Sequence, residues 1–159
     1  MRLSLISCIA LLASVAAACS APASYETFVP QVDRGEDGRY SFTLMLDDSS
    51  SVYSISFYTR IDSPESSFMD LHDLPFEIEL VSPAGASYSE TVYMDIAGWS
   101  DSGYFTKGYD FPYRLGFVPS EYGCWEMSVK VDGEESVKGF RGLGLRVDKE
   151  DSNRNLSSL

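Results

Sequence analysis

The side chains with chemistry to offer in this 159-residue chain are one histidine, three cysteines and 24 acidic residues. His72 stands beside Asp73, an imidazole next to a carboxylate. Neighbours on an extended chain point opposite ways and no nucleophile sits at a recognisable spacing, so the pair reads as an exposed loop dipeptide. A lone histidine also excludes any multi-histidine metal site. Asp33-Arg34-Gly35-Glu36-Asp37-Gly38 offers hard oxygen ligands, with Asp47-Asp48 as further donors. The spacing lacks the alternating acids and distal glutamate of a calcium loop, and it reads as solvated turn acids. No two carboxylates stand out as a general acid and its partner, which leaves a hydrolase without visible machinery. The residues therefore point to a non-catalytic protein that needs no cofactor and no metal.

The cysteines suggest a modification instead of a reaction. Residues 1–18, MRLSLISCIALLASVAAA, run from one Arg through an apolar stretch to small residues, and Cys19 follows directly. The stretch is short of the ~20 apolar residues that a spanning helix needs, and reads as a secretory signal peptide. A cysteine at that point is the arrangement of a bacterial lipoprotein signal, in which the thiol is acylated and becomes the new N-terminus. The usual pattern carries Leu three positions earlier, where this chain has Ala16. Plain cleavage after Ala18 is the alternative. Cys8 leaves with the signal, so Cys124 is then a single thiol and no intrachain disulfide forms. Glu121 and Glu126 flank Cys124 where a reactive thiol would need a base or a cation, so it reads as inert. Ser20 follows the cysteine and no acid comes before Glu26, which favours the outer over the inner membrane. Asn155-Leu156-Ser157 matches a glycosylation acceptor pattern that means nothing in a bacterial lipoprotein.

A formal net charge of −12 excludes nucleic acid as a partner, because no Lys/Arg face can be assembled to neutralise phosphates. A hydrophobic share of 44% and an aromatic share of 13% provide a core for one domain and exclude global disorder.

What must position these residues is a set of strands. Tyr40, Phe42, Leu44 and Leu46 alternate with polar or smaller neighbours, as do Tyr53, Ile55, Phe57 and Thr59. Phe76, Ile78 and Leu80 alternate with Glu77 and Glu79; Trp125, Met127, Val129 and Val131 with Glu126, Ser128 and Lys130; Leu143, Leu145 and Val147 with Gly144 and Arg146. Tyr88, Val92 and Met94 share a parity that Glu90 interrupts, and residues 111–118 form a weaker strand whose Pro112 suggests an edge. Period-two patterning means strands with one face in a core and one in water. Ser82-Pro83-Ala84-Gly85 suits a type I turn, and Asp132-Gly133 is a hairpin-type signal. The expected fold is all-β, an antiparallel sandwich of seven to eight strands, with a small barrel as the alternative. Phe42, Leu44, Ile55, Phe57, Ile78, Leu80, Trp125, Met127, Val129, Leu143 and Leu145 are its inward residues. The organisation is a signal at 1–18, a lipidated tether at 19–38 with a short strand near Tyr25–Val29, the sandwich at 39–148, and a polar tail at 149–159.

Two connections are long, Ile61–Asp73 and Asp95–Asp110, and long loops on a sandwich are where function is placed. The second holds Trp99, Tyr104, Phe105 and Tyr109 among glycines. Trp99, Tyr104 and Tyr109 are the candidate contact residues for a protein or a glycan; plugging one end of the sandwich is the alternative, and a glycan platform requires the rings exposed.

The order of these motifs resembles a known family. The lipoprotein signal is followed by Tyr53–Arg60, by Leu74-Pro-Phe76-Glu-Ile78-Glu-Leu80-Val-Ser-Pro83-Ala-Gly85, by a Trp/Gly-rich stretch from Gly98-Trp99 to Gly108, by Glu121-Tyr122-Gly123-Cys124-Trp125, and by Gly139-Phe-Arg-Gly142-Leu-Gly144-Leu-Arg-Val147. Over residues 40–148 this is similar to the gliding-motility-associated lipoprotein H (GldH-like) family. The resemblance implies an envelope lipoprotein that serves surface motility or the associated secretion apparatus through contacts with other envelope proteins, and it supplies no catalytic residues.

Overall fold

The computed structural model describes residues 24–63, 73–95, 101–103 and 105–151. These form nine strands: β1 (Ser24–Pro30), β2 (Arg39–Leu46), β3 (Ser51–Asp62), β4 (Leu74–Val81), β5 (Ser87–Met94), β6 (Asp101–Ser102), β7 (Thr106–Phe117), β8 (Gly123–Val131) and β9 (Phe140–Asp151). One sheet runs β1-β9-β3-β7-β6 and the other β2-β8-β4-β5, every pairing antiparallel. Neither order closes on itself, so the fold is a β-sandwich and not a barrel. His72, Cys19, Trp99, Tyr104 and the signal lie outside the described residues.

The core is the meeting of the two inward parities. Phe42, Leu44, Ile55, Phe57, Ile78, Trp125, Met127, Val129, Leu143 and Leu145 are all buried, and Leu80 is half-buried against them. Phe57 meets Phe76 edge-on across the layers, with ring centroids 5.5 Å apart, a geometry the ring quadrupoles favour. The alternating Gly-Leu-Gly-Leu of β9 has a physical reason. Leu143 and Leu145 face the core, while the glycines face outward where neighbours come close. A Cβ on Gly144 would lie 2.2 Å from the Tyr58 ring, which rests across that position with Phe28 beside it. Gly142 has φ +136° and would put a Cβ 2.3 Å from the Val29 carbonyl oxygen of β1.

Four expectations need correction. The short strand expected near Tyr25–Val29 is present and runs from Ser24 to Pro30. As the edge strand of the larger sheet, paired with β9 from Asp148 to Gly142, it puts the start of the domain at 24 and not 39. The polar tail begins later, because Lys149 to Asp151 still pair with β3. The connection after Asp95 is shorter than the pattern suggests, since β7 already begins at Thr106 and its inward positions include Lys107, which is 6% exposed. A lysine on the inward parity hid that half of the strand. Asp132-Gly133 makes no hairpin either: β8 and β9 belong to different sheets, and a 3₁₀ turn at Glu134–Ser136 carries the chain between them. The Ser82–Gly85 turn does join a hairpin, β4 to β5, with the Gly85 N–H donating to Ser82 O at 2.8 Å and Gly85 at φ +86°.

The two flanks of the sandwich differ. On one, the Tyr25 hydroxyl of β1 accepts from the Met45 N–H of β2 at 2.8 Å, fastening the larger sheet over the edge of the smaller. On the other, β7 and β5 face each other across a seam.

Candidate functional site

That seam contains a cavity of about 420 Å³ that opens to solvent. Leu44, Ile55, Ile78 and Trp125 line its interior, and Tyr88, Phe117 and Val118 its mouth. Trp125 is held in place by its indole N–H, which donates to Glu121 O at 2.9 Å, and by the Tyr88 ring, 6.1 Å away between centroids. Tyr88 is 50% exposed and Val118 57%, so the apolar lining continues onto the surface.

One polar cluster spans the seam. Glu90 points inward from β5 and accepts two bonds from Arg114 Nη2 of β7, at 2.5 and 2.7 Å. The Tyr113 hydroxyl donates to the same carboxylate, and the Arg114 guanidinium lies 4.4 Å from the Tyr113 ring centre. The β7 register shifts here, between the Ile55–Arg114 and Ser56–Pro112 pairs, which places Tyr113 and Arg114 side by side toward β5. Burial pushes the Glu90 carboxyl up, but the bonds from Tyr113 and Arg114 outweigh it and hold the group below its ordinary value of 4.5. Burial raises the Tyr113 hydroxyl, and its bond to Glu90 raises it further, so it stays a donor. A carboxylate kept ionised by two donors is a latch. Glu90 also explains its own place in the pattern: it sits on the apolar parity of β5 because its partner is across the core edge.

The depressed Glu90 carboxyl stabilises the fold above pH 4.5, and that contribution is lost as the pH falls through its folded value. Glu90→Gln should therefore cost about 1 kcal/mol at pH 7, since the pair is about a third exposed and partly screened. In urea titrations the gap between variant and parent should narrow below pH 4.5; a gap independent of pH would contradict the latch.

The other candidates settle as follows. Tyr109 is 2% exposed, on the inward parity of β7 opposite Thr59, so its ring is part of the core and cannot serve as an exposed contact. Cys124 is exposed on the outer face of the smaller sheet, with its Sγ 3.5 Å from the Met45 Sδ. Asp48 accepts from Ser50 N at 2.9 Å and from Lys149 Nζ at 2.7 Å, and these bonds hold its carboxyl well below the usual range. Asp37 accepts from the Arg39 N–H at 3.1 Å, as a turn acid does. Among the described residues, no three His, Cys, Asp or Glu side chains come together to hold a metal ion.

The seam was not among the expectations. Its signals are present in the sequence, a glutamate on the apolar parity of one strand and Pro112-Tyr113-Arg114 in another, but nothing in the spacing pairs them.

No family model and no curated protein matches this chain. Solved structures of distant likeness include a protein from Sulfurospirillum deleyianum, with 9% identity, a TM-score of 0.39, and 82% of this chain and 99% of that one covered. The CBM35 from Cellvibrio japonicus Abf62 has 13% identity and a TM-score of 0.30, over 69% of this chain and 63% of that one. A carbohydrate-binding module specific for non-crystalline cellulose has 11% identity and a TM-score of 0.31, over 80% and 70%. Likeness at this level carries no ligand, activity or partner to this chain.

Proposed function

We propose that the chain is a non-catalytic lipoprotein of the bacterial envelope, anchored in the outer membrane through acylated Cys19. Its sandwich acts through contacts with other proteins of a motility or secretion assembly, as the GldH-like resemblance implies. The observation that supports this most is the position of β1. It begins at Ser24, five residues past Cys19, and such a stretch spans at most about 17 Å. A lipid on Cys19 would keep the domain against the bilayer, with the seam between β5 and β7 on the flank away from β1 and open to a neighbour. The inward acid of the seam, Glu90, is bonded to Arg114, a contact that suits a structural latch and supports the non-catalytic reading.

Metabolic labelling with an alkyne fatty acid should mark the protein at Cys19 and fail on the Cys19→Ala variant. An unmodified Cys19, or one bonded to Cys124, would overturn the anchor. Affinity capture of the lipidated protein from envelopes should recover motility or secretion components. Capture of no protein, together with glycan-array binding abolished by Trp99→Ala, would make a carbohydrate-binding lipoprotein the better account.

A further inference from the structure

Three of the four sheet edges are defended. The β2 edge is covered by the Tyr25 hydroxyl at Met45. The β1 edge ends in Pro30, and its Glu26 carboxylate is drawn onto Arg146 at 2.6 Å. The β7 edge carries Pro112 and an irregular register, and β6 covers its start. Such devices stop foreign strands from pairing. Among the described residues, β5 has only one of them, the inward-pointing Glu90 bonded to Arg114 of β7. Its eight residues, SYSETVYM, contain no Pro, Gly or Lys, and they pair with β4 in unbroken register from Leu74–Met94 to Val81–Ser87.

What borders this edge defines what would fit it. On its inner side lies the largely apolar cavity, with half-exposed Tyr88 at the mouth and the Glu90–Arg114 pair as its charged group. On its outer side, Ser89 and Thr91 sit opposite Glu79 and Glu77 of β4. Glu77 approaches Arg39 and Lys130 at 3.7 and 3.9 Å, whereas Glu79 is exposed and makes no ion pair with any described residue. A second copy would bring another chain of net charge −12 against the same acids. A basic strand would complement them.

We propose that β5 accepts an extended segment of a partner protein as an added strand, with apolar side chains toward the cavity and basic side chains toward Glu79. The main-chain ladder supplies affinity and the alternate side chains supply selectivity. This rests on the reading that the protein works through protein contacts, and names the surface it would use.

The test uses the full chain in neutral detergent and an eight-residue peptide alternating Val and Lys. Two versions of that peptide carry N-methyl groups on alternate residues, one version for each edge of the strand. The parent peptide should bind saturably and slow amide exchange along β5. One methylated version should bind at least about tenfold more weakly than the other, since only one edge faces β5. A Val/Glu peptide should likewise be at least about tenfold weaker. Equal binding of the two methylated versions, protection elsewhere than β5, or no binding at all would overturn the proposal. Dimerisation that protects β5 without peptide would assign the edge to a second copy and overturn it too. None of these readouts depends on acylation, so a failed label at Cys19 removes the anchor and leaves this result standing, and the reverse holds.

Discussion

Trp125→Ala should lower the folding stability by about 3–5 kcal/mol, the range for truncating a large buried aromatic. The residue is 4% exposed, lies in β8 opposite Leu44 of β2, and forms one wall of the seam cavity. Removing the indole would enlarge a cavity that already exists. The surroundings cannot collapse to fill it, because Tyr88 is placed by β5 and Leu44 by β2. The Glu121 carbonyl also loses its donor. In a domain of this size the midpoint of thermal unfolding should fall by on the order of 10 °C. Trp125→Phe keeps most of the ring and should cost markedly less. Urea titration followed by circular dichroism measures both, and an alanine variant as stable as the parent would show that the indole does not carry this packing.

The inward parity of Trp125 was legible in the sequence because antiparallel sheets with one wet face impose strict alternation. The same reasoning held for Phe42, Leu44 and Leu46 and for Phe57, Ile78 and Leu145, all buried as expected. It failed where a charged residue occupies an inward position. Lys107 made the first half of β7 look like loop, and that error placed Tyr109 in a recognition loop although it belongs to the core. Glu90 made β5 look doubtful for the same reason. For Glu90 the compensating partner, Arg114, lies on another strand 24 positions away, and local spacing carries no trace of it. The crossing from β8 to β9 was hidden differently. Asp-Gly favours a tight turn wherever it occurs, and only the pairing partners decide whether the next strand returns to the same sheet.

The site was less legible than the fold. A cavity between two edges depends on how far the sheets splay, which follows from the registers of β5 and β7 and not from the composition of either. The aromatic residues singled out by their spacing are divided: Tyr109 is structural, and Trp99 and Tyr104 lie outside the described residues. The groups that define the seam, Glu90, Tyr113 and Arg114, have no motif.

Glu134 is the plainest case of a partner hidden by distance in the chain, and it carries the second large prediction. It follows Asp-Gly in a turn, where a glutamate is ordinarily solvated, yet it is 2% exposed. Its Oε2 accepts from the Tyr40 hydroxyl at 2.7 Å, and its Oε1 faces the Arg34 guanidinium. Burial pushes the Tyr40 hydroxyl up to about 12, with Arg34 opposing and Glu135 reinforcing the shift, so it remains a donor at neutral pH. The pair ties the loop between β1 and β2 to the turn that carries the chain from β8 to β9. Arg34→Ala leaves a buried carboxylate with one neutral donor, and should cost about 3 kcal/mol, because the desolvation penalty stays while the attraction is lost. The whole triad replaced together, Arg34→Met with Tyr40→Phe and Glu134→Leu, should recover most of that loss, since apolar groups of similar volume incur no such penalty. Urea midpoints for the single and triple variants decide it. If the single variant matches the parent, Glu134 is hydrated in solution; if the triple is the worse of the two, the ion pair itself stabilises the crossover beyond what packing can replace.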